Sequence, residues 1–136
     1  MFSLSPHPID PEHLRKAILS PEGGALVEFS GTVRIHNCDR DVSTLEYEGA
    51  EALAKKEFDK IEAEAHETFK VLRIHCTHRV GRLTPGETSV WIGVTAIHRD
   101  AAFAACQFAI NQLKRRLPIW KKEHYANGDS GWINAP

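Results

Sequence analysis

The stretch LKRRLPIWKKE, residues 113–123, sets five cationic side chains, Lys114, Arg115, Arg116, Lys121 and Lys122, around an apolar Leu-Pro-Ile-Trp step. Two chemistries compete for it. A helix C-terminus carries partial negative charge and favours cations, so Lys114, Arg115 and Arg116 can simply close a helix. Lysines held close together instead disfavour each other's protonation, and an amine kept neutral can act as base or nucleophile. Burial of Ile119 and Trp120 would hold Lys121 and Lys122 at a fixed place, which favours the second chemistry. His98-Arg99-Asp100 is a second candidate, at the junction of a strand and a helix. Helix N-termini offer unpaired N–H groups, and an added His and Arg suit a phosphate or carboxylate, although Arg99 can equally pair with a neighbouring acid. Arg34 is a third, either an anion ligand or an ordinary surface residue. His75, His78 and His98 lack the helical i, i+4 pairing or placed carboxylate of a zinc site, and His75 and His78 point to opposite faces of their strand; no metal and no cofactor is expected.

These residues need elements to position them. From Ala25 to Ile35 small or apolar residues alternate with polar ones, the period of a half-buried strand that turns Arg34 and His36 away from the core. Asn37 to Asp41 are turn formers, and Val42–Glu48 is the expected return strand of a hairpin. Ala50, Leu53, Ala54, Phe58, Ile61, Ala65 and Phe69 predict an amphipathic helix with an acidic, solvated outer face. Leu72–Val80 and Ser89–Ile97 read as strands joined across Pro85-Gly86. Asp100 can cap a helix whose stripe is Phe103, Cys106, Ile110, Leu113 and Leu117, ended by Pro118. Short turns between strands, with two main helices, predict an α+β fold with an antiparallel sheet.

The bulk numbers exclude several function classes. Seventeen Lys and Arg against eighteen Asp and Glu give a net charge of −1, so no global field recruits nucleic acid or an anionic membrane, and any electrostatic function is local. No apolar run approaches the roughly 20 residues that span a bilayer, and MFSLSPHPID has no signal-peptide pattern, so the cytoplasm is the expected location. Cys38, Cys76 and Cys106 lack CxxC or zinc-finger spacing and read as reduced thiols. The expected organisation is one domain over residues 1–136, with 1–23 as an N-terminal extension.

Taken in order, GTVRIHN (31–37), LEYE (45–48), HRVGRLTPGETSVWIGVTAIHR (78–99), AFAACQFAINQLKRRLPIWKKE (102–123) and DSGW (129–132) resemble the catalytic subunit of molybdopterin synthase, the MoaE family. The resemblance runs from about Gly24 to Trp132. It implies an α/β hammerhead fold and a homodimer within a heterotetramer, a small ubiquitin-like sulfur-carrier subunit docking at each distal end. It implies a sulfurtransferase that converts cyclic pyranopterin monophosphate to molybdopterin, for molybdenum cofactor biosynthesis, with the carrier's C-terminal glycine thiocarboxylate as sulfur donor. By the same resemblance Lys114 matches the catalytic lysine and Lys121 the second active-site lysine. Arg34, His98 and Arg99 match substrate-binding positions, and Lys122 and Glu123 lie beside Lys121 in the same motif. A cyclic phosphate and a thiocarboxylate both need cations in a partly dry site, so these roles agree with the residue chemistry. The chain departs from the pattern at Asp39, where Gly is frequent, at Ala50, where a bulkier aromatic is common, and in stopping four residues after Trp132.

A helix from Asp100 to Arg116 would separate His98 and Arg99 from Lys114 by about 20 Å, too far for one small pterin. If all serve one site, His98 and Arg99 come from the other protomer. The chief rival is a non-catalytic anion-binding or scaffold module of the same fold. An RNA-binding role that uses Trp120 as a stacking platform is disfavoured by the neutral overall charge.

Overall fold

In chain order the elements are β1 (Phe2–Ser5), α1 (Pro11–Ile18), β2 (Ala25–Thr32), β3 (His36–Asn37), β4 (Arg40–Gly49), α2 (Glu51–Thr68), β5 (Val71–Arg79), β6 (Gly81–Leu83), β7 (Thr88–Ala96), α3 (Arg99–Arg116), β8 (Ile119–Tyr125) and β9 (Ser130–Asn134). They are seen in a computed structural model that describes residues 1–37, 40–128 and 130–134. Cys38, Asp39 and Asp129, and with them the departure at Asp39, lie outside the described residues. The fold is α+β, with two sheets. One has the order β1-β5-β7-β2, antiparallel except for the parallel β1–β5 pair; the other runs β3-β4-β8-β9, with β6 also paired to β4.

The stretch 1–23, an extension by its sequence, contributes both β1 and α1. Pro11 opens α1, and the Asp10 side chain accepts a hydrogen bond from the His13 N–H at 3.3 Å. Ile18 closes the helix against Trp91 and Gly93 of β7, where a Cβ on Gly93 would lie 2.2 Å from the indole and 2.6 Å from Ile18. Only glycine admits that approach, and β7 is consequently covered on both faces.

The opposite face of the first sheet carries the main core. There α2 buries Ala54, Phe58, Ile61 and Ala65, and α3 buries Ala102, Ala105, Cys106, Ala109, Ile110 and Leu113. Alanines bring α3 close to its neighbours, since the separation of packed elements follows side-chain size at the contact. This differs from the stripes expected from spacing: Leu53 and Phe103 are each 62% exposed. Asp100 is not the cap either. His98 holds that position without a side-chain capping bond, and Asp100 lies in the first turn.

A second difference concerns pairing. β2 and β4 do not form a hairpin; β2 pairs with β7 from Ala25↔Ala96 to Thr32↔Thr88, and β4 pairs with β8 and β6. Val33 exchanges backbone hydrogen bonds with Glu87 and Gly86, which carries the chain off the first sheet, and only His36–Asn37 folds back on Arg40–Asp41. The turn that receives Val33 is held by Glu87, whose carboxylate accepts from the Thr84 N–H at 2.7 Å, and by Gly86 at φ +94°. Among the described residues no helix is long and apolar enough to cross a membrane.

Candidate functional site

The divergence of β2 from β4 opens a cleft of about 130 Å³ between the two sheets, closed at one end by the C-terminal turn of α3. Arg34 enters from the chain leaving β2, Lys114 from α3, and Lys121 and Glu123 from β8; Tyr47 and His78 stand on β4 and β5, and His36 also lines the cleft. Strand parity explains the β8 pair. Ile119, Lys121, Glu123 and Tyr125 share the inward face, and Tyr47 is the cross-strand partner of Lys121 as Leu45 is of Glu123. Leu117 and Ile119, 7% and 2% exposed, anchor the segment around Pro118. Trp120, the expected anchor, is 41% exposed because its position in the alternation faces outward.

Inside the cleft charge is paired with care. Lys121 Nζ lies 3.3 Å from Glu123 Oε1, with both side chains largely buried. The Tyr125 hydroxyl donates a short hydrogen bond to the other Glu123 carboxylate oxygen. Lys114 and Arg34 are exposed at the rim. The neighbouring acid of His36 is Asp41, 2.6 Å away on the surface. His78 is buried, its Nδ1 2.7 Å from the Arg79 carbonyl oxygen and its ring edge-on to Tyr47 at 4.9 Å. Burial pushes the His78 pKa down to about 4 and raises that of Tyr47, so both are neutral near pH 7. A rim of exposed cations over a floor of neutral polar groups can hold an anion without drowning it in bulk water.

Three of the residues singled out from sequence stand apart from this cleft. Lys122 has the opposite parity, and its Nζ lies 5.6 Å from the centroid of Trp132, its cross-strand partner on the outer face. The expected Lys121–Lys122 pair is therefore split between the two faces of β8. His98 and Arg99 are exposed at the N-terminus of α3, about 20 Å along the helix from Lys114. Conversely Tyr47, His78 and Ser89 line the cleft without having been singled out for it. The available signal for His78 was its place on the apolar parity of Leu72, Ile74 and Cys76. Arg116, expected only to close the helix, reaches Glu57 Oε1 at 2.8 Å and Glu64 Oε2 at 2.6 Å on α2. Cys76 and Cys106 are free, buried thiols, and among the described residues no group of His, Cys, Asp and Glu could hold a metal ion.

Fold and cleft together define the class: an α+β protein that gathers lysine and arginine between two sheets around a small anion-sized space. The family described as MoaE protein matches residues 4–116. The molybdopterin synthase catalytic subunit of Synechococcus elongatus is 45% identical over 111 residues, 81% of this chain and 67% of the relative. The crystal structure of molybdopterin synthase from Staphylococcus aureus superposes with a TM-score of 0.89 at 33% identity, covering 96% of this chain and 94% of that one. A Helicobacter pylori structure, a protein–protein complex of subunits 1 and 2 of molybdopterin-converting factor, matches with a TM-score of 0.78 at 25% identity over 98% of this chain and 89% of that one. The chain belongs to the MoaE family, that of the molybdopterin synthase catalytic subunits.

Proposed function

We propose that this chain transfers sulfur from the C-terminal glycine thiocarboxylate of a small carrier subunit to cyclic pyranopterin monophosphate, in the cleft between its two sheets. The observation that carries the reading is the convergence of Arg34, Lys114 and Lys121 on one cleft from three separate elements. Both reactants are anionic, and cations placed in a partly dry site are what such a reaction needs. Lys114 is the acid and base that moves protons as sulfur adds and oxygen or the carboxylate leaves. Lys121, held by Glu123, orients the anionic groups together with Arg34. The carrier is of the kind that the subunit 1 and 2 complex of Helicobacter pylori suggests, and the setting is the cytoplasm.

His98 and Arg99 complete the site from the second copy of a homodimer. Support comes from their surroundings: Ile97 and Phe103 are 52% and 62% exposed beside them, an apolar surface suited to self-association. Glu123 serves the substrate-binding segment through Lys121, whereas Lys122, expected to bind substrate, is turned to the outer face over Trp132 and has no part in the cleft. The test is to incubate the chain with a thiocarboxylated carrier and the cyclic pterin and assay the dithiolene product. Product from the wild type, reduced about 100-fold or more in Lys114→Ala, is the expected result. No product from the wild type would favour a non-catalytic scaffold.

A further inference from the structure

The exposed rim of the cleft carries the cations Arg34 and Lys114, whereas its floor offers a neutral acceptor. His78 is 4% exposed, and the Arg79 carbonyl beside its Nδ1 can only accept, so Nδ1 carries the ring proton. At neutral pH the imidazole is uncharged, which leaves a lone pair on Nε2. No described residue hydrogen-bonds Nε2, and the ring lines the cleft. Its orientation is fixed from two sides, by the Arg79 carbonyl and by the edge-on contact with Tyr47. Around it Val33, Leu45 and Val90 supply apolar surface beside the Tyr47 and Ser89 side chains and the Lys121–Glu123 pair.

We infer, resting on the function proposed above, that His78 Nε2 accepts a hydrogen bond from a ring N–H of the pterin. The cleft then reads two features of one ligand, an anionic group at the rim and a donor at the floor. The carrier's glycine tail also has an N–H, but it has no side chain to set against Val33, Leu45 and Val90. A flat heterocycle gains by covering them. A site that presents a buried acceptor rejects a ligand that cannot supply the donor, because the acceptor is then left without water or partner. His78 is thus a specificity-determining residue for the pterin, distinct in role from the cations that take its charge.

The experiment titrates the full chain with the cyclic pterin precursor in the absence of carrier, and adds steady-state kinetics with the thiocarboxylated carrier. His78→Asn keeps a donor for the Arg79 carbonyl and lacks Nε2, whereas His78→Gln places an amide near the Nε2 position. Pterin affinity about tenfold weaker in His78→Asn, with kcat and the KM for carrier within about twofold of wild type and partial recovery in His78→Gln, is the expected pattern. In the wild type itself, the ¹⁵N resonance of His78 Nε2 should move on addition of pterin, a readout that needs no variant to fold. An unmoved resonance, equal pterin affinity in wild type and His78→Asn, or a raised carrier KM with pterin binding intact would overturn the assignment. Failure of the wild type to bind pterin at all would instead overturn the function on which it rests.

Discussion

Lys121 Nζ and Glu123 Oε1 lie 3.3 Å apart on the inward face of β8, their side chains 13% and 3% exposed. A buried pair of this kind costs desolvation on both sides, and removing one partner strands the other. Lys121→Met should therefore lose activity and also on the order of 3 kcal/mol of stability, read from denaturant melts. Adding Glu123→Gln should restore most of the stability and none of the product formation. A double variant no more stable than Lys121→Met would show that the lysine is not there to balance the carboxylate.

Arg116 ties the two long helices together through Glu57 and Glu64, and these bonds hold the Glu57 carboxyl below its usual range. All three side chains are partly in water, so the contribution is modest. Arg116→Ala should cost about 1 kcal/mol, diminishing at high salt, while Arg115→Ala on the exposed side should stay within about 0.5 kcal/mol. Neither should change the KM for either substrate. Equal losses in the two variants would mean that the cations act only through the helix end.

Periodicity told which side chains share a face, and told little about what covers that face. The parity of β5 placed His78 with the core, but residues 119–125 were not read as a strand, so the alternation that sends Trp120 and Lys122 outward and Lys121 and Glu123 inward was missed and Trp120 was expected to be the anchor. The strand and helix boundaries followed because Pro118, Pro85-Gly86 and the turn formers after Ile35 act locally. Pairing was not legible in the same way. Whether residues 40–49 return along β2 or join β8 depends on tertiary competition, which the Val33–Glu87 backbone exchange decides. Phe103 fits the α3 stripe by spacing, yet the alanines Ala102, Ala105 and Ala109 pack inward and leave it outside. The site was legible in its cations, whose chemistry is conspicuous, and missed in its neutral floor, because a histidine at an apolar position reads as ordinary core.

His98 and Lys114 stand at opposite ends of α3, about 20 Å apart, which no side-chain motion closes. If the two act on one substrate, each site of a two-fold dimer takes Lys114 from one protomer and His98 from its partner. Mixing Lys114→Ala with His98→Ala chains under exchange conditions then leaves one intact site in every mixed dimer. Product formation should recover to roughly a quarter of wild type from two inactive parents. No recovery, with subunit exchange verified by mass spectrometry, would place His98 outside the site.

The neutral state of His78 makes stability depend on pH in a defined direction. Its pKa is depressed by burial to about 4 from an ordinary 6.5, so between those values the unfolded chain binds a proton that the folded chain refuses. Stability is therefore fully present above pH 6.5 and is lost as pH falls toward 4, by on the order of 3 kcal/mol from this group alone. His75, shifted the same way by burial, adds a smaller loss in the same direction. Glu28, Glu46, Glu57 and Glu87 have lowered pKa values, and their contribution is lost only as pH falls through the carboxylate range. His78→Gln, which does not titrate, should lower stability at pH 7.5 yet flatten the limb between pH 6.5 and 4, so that the difference from wild type shrinks as pH falls. Denaturant melts at half-unit intervals across that range test this, and a difference constant with pH would show that the folded protein admits the proton on His78.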